Sequence, residues 1–101
     1  MIKHVVLFKL QPFAEGNSKH ENALYLKRKL EQLQGVVPEL IKMEVFINMP
    51  GVSDENYDLM LIAEFNSVED LKAYANHPAH LKVTSFMSKV REGRAAIDFE
   101  V

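Results

Sequence analysis

Apolar residues along the chain recur with two periods, and the switches between them mark out the elements. Ile2, His4, Val6, Phe8 and Leu10 alternate with Lys3, Val5, Leu7 and Lys9, which predicts a strand over residues 2–10. Val5 and Leu7 make the second face apolar too, as in a strand covered on both sides. Pro12 ends the ladder by withholding a donor. Gly16-Asn17-Ser18 supplies a turn and an N-cap, and Glu21 stands where a capping-box partner belongs. Ala23, Leu26, Leu30 and Leu33 then recur at helical spacing, with Lys27, Lys29, Glu31 and Gln34 facing outward. This predicts a helix to about Gln34, stopped by Gly35.

Residues 40–49 read as a second strand with Ile41, Met43, Val45 and Ile47 on one face, followed by a turn at Pro50-Gly51. Residues 57–65 read as a third, with Leu59, Leu61, Ala63 and Phe65 on one face and Met60 and Ile62 on the other. Ser67 caps the next helix, with Asp70 expected to reach back to it. That helix carries Leu71, Tyr74 and Ala75 and breaks near His77, because Pro78 disfavours helical geometry in the residue before it. A further helical piece runs from Ala79 to about Val90, with Leu81, Val83, Phe86 and Val90 inward and Gly93 closing it. Ala95, Ile97, Phe99 and Val101 alternate with Ala96, Asp98 and Glu100 in a final strand. The order β-α-β-β-α-β predicts a single α+β domain over residues 1–101, ferredoxin-like, with a four-stranded antiparallel sheet. Both helices then lie on one sheet face. The other face carries Val5, Leu7, Met60 and Ile62, and a bare apolar sheet marks an interface, so a homodimer through that face is expected.

Composition adds mainly exclusions. The formal net charge of the 101 residues is −2 and the charges alternate, leaving no basic stripe for a nucleic-acid backbone. The absence of cysteine removes disulfides, thiolate zinc sites and a Cys nucleophile. No apolar run reaches the length of a membrane span, and the opening apolar stretch is too short for a signal peptide, which makes a cytoplasmic location the expectation. Glycine-rich phosphate loops and nucleophile elbows are missing.

Chemistry concentrates in Tyr74-Ala75-Asn76-His77-Pro78-Ala79-His80, which holds two of the four histidines. An imidazole is a competent base near neutral pH, and a buried phenol donates to a developing enolate. If His80 removes a proton alpha to a carbonyl, Tyr74 orients the carbonyl oxygen. His4 projects to the same side as Val6 and Phe8, the helix side, and adds a third polar group to an apolar pocket that Phe86 also faces. The plainer reading is structural: His77 caps a helix end where the dipole favours a cation, Tyr74 is core, and His4 is a satisfied histidine. His77, His80 and His4 also offer three nitrogens to a metal. The box holds no carboxylate and a proline interrupts the helical spacing, so no metal is expected. His20 and the carboxylates Asp54, Glu55 and Asp58 read as solvated, and the five methionines as gap-filling in core or interface.

The opening Ile2-Lys3-His4-Val5-Val6-Leu7-Phe8-Lys9, the segment Phe65–Tyr74, the box His77-Pro78-Ala79-His80 and the terminal Ile97-Asp98-Phe99 together resemble the stress-responsive A/B barrel family, within the dimeric α/β-barrel superfamily. The resemblance covers nearly the whole chain and implies a dimer whose two sheets close into a barrel. One plant branch of that family is a polyketide cyclase that works by aldol chemistry without a cofactor, using a His and a Tyr of this box. Those roles fall on His80 and Tyr74, and the histidine of its first strand falls on His4. A tyrosine on that cyclase's first helix is replaced here by Leu30. The resemblance therefore implies a small carbonyl or phenolic ligand, no cofactor, and Tyr74, His80 and His4 in the pocket; Val6, Phe8, His77, Leu30 and Phe86 are the further residues expected to line it. Two further readings stand beside it: a non-enzymatic stress or binding protein, and a cofactor-independent oxygenase of the same superfamily.

Overall fold

Strand β1 (Ile2–Leu10) is hydrogen-bonded on both edges and organises the rest of the chain. The computed structural model describes every residue from Met1 to Val101. After β1 come a short hairpin of β2 (Phe13–Ala14) and β3 (Asn17–Ser18), helix α1 (Lys19–Glu31), and strands β4 (Lys42–Ile47) and β5 (Leu59–Phe65). Helices α2 (Val68–Asn76) and α3 (Pro78–Val90) and strand β6 (Arg91–Glu100) complete it. The main sheet is antiparallel in the order β4-β5-β1-β6, the ferredoxin-like α+β arrangement that the sequence pattern predicts. No helix is long and apolar enough to cross a membrane.

The capping box at the start of α1 is formed. Ser18 Oγ accepts from the Glu21 backbone N–H, and Glu21 Oε1 accepts from the Ser18 N–H at 2.9 Å. Ala23, Leu26 and Leu30 are buried beneath this helix as their spacing requires. The small hairpin before it is absent from the alternation pattern, because only its turn declares it: Glu15 and Gly16 both have positive φ, the geometry of a tight two-residue hairpin turn. The helix ends at Glu31 rather than near Gln34. Three residues expected on its solvated face instead close the outer edge of β4. Gln34 Oε1 accepts from the Met43 N–H, Glu31 Oε2 from the Val45 N–H, and Lys27 Nζ donates to the Val45 carbonyl. An edge strand satisfied in this way offers no free ladder to another chain. At α2, Ser67 Oγ accepts from the Asp70 N–H at 3.1 Å, but the Asp70 carboxylate makes no return bond.

The largest departure lies after α3. Gly93 does not close that helix; the chain passes straight from Val90 to Arg91 in extended geometry, and Gly93 is inside β6, opposite Lys9. The pairing then skips Glu92, so Lys9 faces Gly93 and Leu10 faces Arg91, a β-bulge. A Cβ at Gly93 would come within 3.3 Å of Lys9 Cβ, a tight contact that a side chain here would relieve only by shifting the neighbouring strand.

Helices α1, α2 and α3 cover one face of the sheet. Val6, Phe8, Leu10, Val45, Leu59, Leu61 and Phe65 are buried there. The other face carries the expected Val5, Leu7, Met60 and Ile62, half-buried. Phe46, Ile97 and Phe99 join them and are more open, Ile97 at 61% exposure.

Candidate functional site

Between the sheet and α1, α2 and α3 lies a cavity of about 550 Å³, within the range that holds small organic ligands. Its walls are apolar: Val6, Phe8 and Leu61 from the sheet, Leu30 from α1, Leu71 from α2, and Val83 and Met87 from α3. The polar lining is Tyr74, His80 and Thr84 from the helices and His4, Asp98, Arg91 and Arg94 from the sheet.

Pro78 creates the corner that brings Tyr74 and His80 together. It breaks the helix at His77 and starts α3 at the next residue, so Tyr74 near the end of α2 meets His80 in the first turn of α3. Their ring centroids are 4.2 Å apart, and the Tyr74 ring also packs against Phe65, at 5.1 Å. Tyr74 is only 1% exposed, and its hydroxyl is buried without a hydrogen-bond partner. Desolvation raises the phenol pKa well above its ordinary value, so the group stays protonated and remains a donor.

His80 Nδ1 lies 3.0 Å from the Ala75 carbonyl oxygen. A carbonyl only accepts, so the neutral ring carries its proton on Nδ1 and leaves Nε2 with a free lone pair. Burial lowers the His80 pKa; the Ala75 carbonyl opposes this, and His4 and His77 add to it. The ring is therefore neutral at pH 7, the form that accepts a proton. His4 is paired through Nδ1 to Asp98 Oδ1, with its side chain 14% exposed. The carboxylate accepts, so the Nδ1 proton of His4 is committed as well and its Nε2 is the unassigned nitrogen.

Of the residues singled out from the sequence, the cavity brings together His80, Tyr74, His4, Val6, Phe8 and Leu30. His77 and Phe86 stand apart from it. His77 is the N-cap of α3, and its Nδ1 accepts from the Ala79 N–H at 3.1 Å. His77 also caps the end of α2 as expected, its backbone N–H donating to the Tyr74 carbonyl, but its ring serves the following helix, as an acceptor at the positive end of α3. Phe86 packs on Tyr25 with centroids 4.7 Å apart, bridging α3 to α1. No three His, Asp or Glu side chains are grouped so as to hold a metal ion.

Asp98, Arg91 and Arg94 were not singled out from the sequence. A signal for two of them was there. The reverse sheet face is apolar, so Ala95, Ile97 and Phe99 belong on it, and their alternating neighbours Arg94 and Asp98 must look toward the helices. Arg91 gives no such signal, because the bulge sets its direction. Asp58, expected to be solvated, is an anchor: its Oδ2 accepts from the Leu10 N–H at 2.8 Å.

The family model for the stress responsive A/B barrel domain matches residues 2–101. A stress-response A/B barrel domain-containing protein of Arabidopsis thaliana is 24% identical over 98% of this chain, which spans only 46% of that protein. Among solved structures, a dimeric ferredoxin-like protein of unknown function from Bacteroides fragilis superposes with a TM-score of 0.81. It is 33% identical, with 99% of this chain and 95% of that one covered. A hydroxynitrile lyase from Passiflora edulis superposes with a TM-score of 0.78 over 99% of this chain and 92% of its own, at 16% identity, a likeness of fold alone. With a family model spanning almost every residue, the chain belongs to the stress-responsive A/B barrel domain family.

Proposed function

We propose that the cavity binds a small carbonyl or phenolic compound and that His80 and Tyr74 perform cofactor-free acid/base chemistry on it. His80 takes a proton from the carbon next to the carbonyl through Nε2, and Tyr74 donates its hydroxyl to the oxygen on which charge develops. One observation carries this reading: a buried phenol with no partner stands against an imidazole whose other nitrogen is already committed. A buried polar group without a partner costs stability, and a ligand that accepts from it recovers that cost on binding. The hydroxyl is closed to water, so donation requires a small opening of the wall around it.

His4 and Asp98 form a second oriented imidazole at the same cavity, suited to relay a proton or hold a substrate hydroxyl. The likeness to a hydroxynitrile lyase supports small-molecule chemistry on this fold only as analogy. We further propose that two copies pair through the open sheet face, around Val5, Leu7, Met60 and Ile62. The apolar character of that face and the dimeric state of the Bacteroides fragilis relative support this.

The non-enzymatic reading draws on a specific observation as well, the capping role of His77, which gives part of the box a purely structural task. Thermal shifts against a panel of phenolic ketones and polyketide-like compounds separate the two, with wild type and His80→Ala side by side. The proposal expects at least one compound to raise the melting temperature of wild type and not of the variant. If no compound does, and His80→Ala simply melts lower, the residues only hold the corner.

A further inference from the structure

Arg91 and Arg94 are three residues apart, and in an unbroken strand such residues point to opposite faces. The bulge at Glu92 removes that difference. Arg94 is opposite Phe8 and Arg91 opposite Leu10, both partners lying on the helix-covered face, so both arginines belong to the cavity's side of the sheet, and both residues line it. A bulge that re-aims a side chain beside a cavity is a recurrent feature of binding sites.

Neither guanidinium has a carboxylate within 4 Å; all five ion pairs of the chain involve other residues, and neighbouring Glu92 takes part in none. The cavity lining holds these two cations and one carboxylate, that of Asp98, which is already paired with His4. The lining is therefore net positive in a chain of net charge −2. The charge is also polarised along the cavity. Asp98 is opposite His4 and Arg94 opposite Phe8, four residues along β1, roughly 13 Å of strand. The acid/base groups occupy one end and the guanidiniums the other, with Val6 and Phe8 between them.

We propose that the ligand is an apolar carbonyl compound bearing a carboxylate, and that Arg91 and Arg94 bind that carboxylate and set which way round the ligand lies. The planar guanidinium fork matches a carboxylate geometrically and holds it through charge-assisted hydrogen bonds. This inference rests on the carbonyl-ligand reading above and adds the charge and orientation of the ligand to it.

The test uses 5-benzoylpentanoate and its methyl ester, which share ketone, chain and ring and differ in the charge. Calorimetric titration is performed on wild type, Arg94→Gln and Arg91→Met/Arg94→Met. Wild type is expected to bind the acid at least tenfold more tightly than the ester. The double variant is expected to bind acid and ester alike, and Arg94→Gln to give an intermediate ratio. Equal binding of acid and ester by wild type, or a preference that survives in the double variant, overturns the inference and leaves the carbonyl cavity standing. Failure of wild type to bind either compound overturns both. A cooperative thermal unfolding transition reports that each variant is folded; where the double variant does not fold, the wild-type ratio and Arg94→Gln decide the matter.

Discussion

Tyr74→Phe separates a binding site from a packed corner by the sign of a stability change. The substitution removes one oxygen and keeps the ring, so the contacts with Phe65 and His80 persist. If the hydroxyl held the corner through a hydrogen bond, its loss would destabilise the fold by about 1 kcal/mol, the usual net worth of such a bond. The hydroxyl has no partner and no exposure. The folded state thus bears the cost of burying it, about 1–3 kcal/mol in mutational series. Tyr74→Phe should therefore be more stable than wild type by about 1 kcal/mol or more, some 4–8 °C in melting temperature for a domain of this size. Urea unfolding at fixed protomer concentration measures it, and an unchanged m-value shows that the unfolding reaction is the same. The same variant should show a smaller ligand-dependent stabilisation than the one expected of wild type. A loss of 1 kcal/mol or more would refute the reasoning, because it would mean that the hydroxyl has a structural partner.

The depressed pKa of His80 ties stability to pH. Its folded value lies below the ordinary 6.5, so the unfolded chain takes up the proton first and stability falls as pH drops through 6.5 toward the folded value. Urea unfolding between pH 7 and pH 5 should show a shallower loss in His80→Gln than in wild type, and equal slopes would contradict the assignment. His77→Ala removes the acceptor for the Ala79 N–H and should cost about 1 kcal/mol, whereas His77→Asn, a good N-cap, should recover most of it in the same assay. Ile62→Lys places a charge in the middle of the open sheet face, opposite Val5. Light scattering should show wild type at twice the 11.6 kDa protomer mass and the variant at the protomer mass; a dimeric variant would move the interface elsewhere.

The fold was legible wherever a local rule and the tertiary structure agree. The stripe Ala23, Leu26, Leu30 is the buried face of α1, the Ser18–Glu21 box is its start, and the alternation in β1 and β5 separates core from open face. The reading failed where distant chain decides the outcome. Gly93 follows a helical stretch and looks like a stop, but it lies inside a strand against Lys9, more than eighty residues earlier, next to the bulge. Lys27, Glu31 and Gln34 look solvated until β4 supplies the edge that they satisfy. In the site, His4, Tyr74 and His80 were legible from residue type and a proline corner, while the place of Asp98 depends on the register between the two ends of the chain. The taking of His77 by the α3 N-terminus was missed because a histidine cap is an unusual choice beside Ser, Thr, Asp and Asn.

Everything proposed for the cavity turns on whether His80 moves a proton at a carbon next to a carbonyl. The most direct measurement is proton NMR of 5-benzoylpentanoate in deuterium oxide with catalytic protein, following loss of the signal from the methylene beside the ketone. Proton transfer by His80 is expected to give exchange well above the buffer rate with wild type, exchange at the buffer rate with His80→Ala, and an intermediate rate with Tyr74→Phe. Exchange at the buffer rate with wild type, in the presence of bound ligand, would contradict it and leave the cavity a binding site without chemistry.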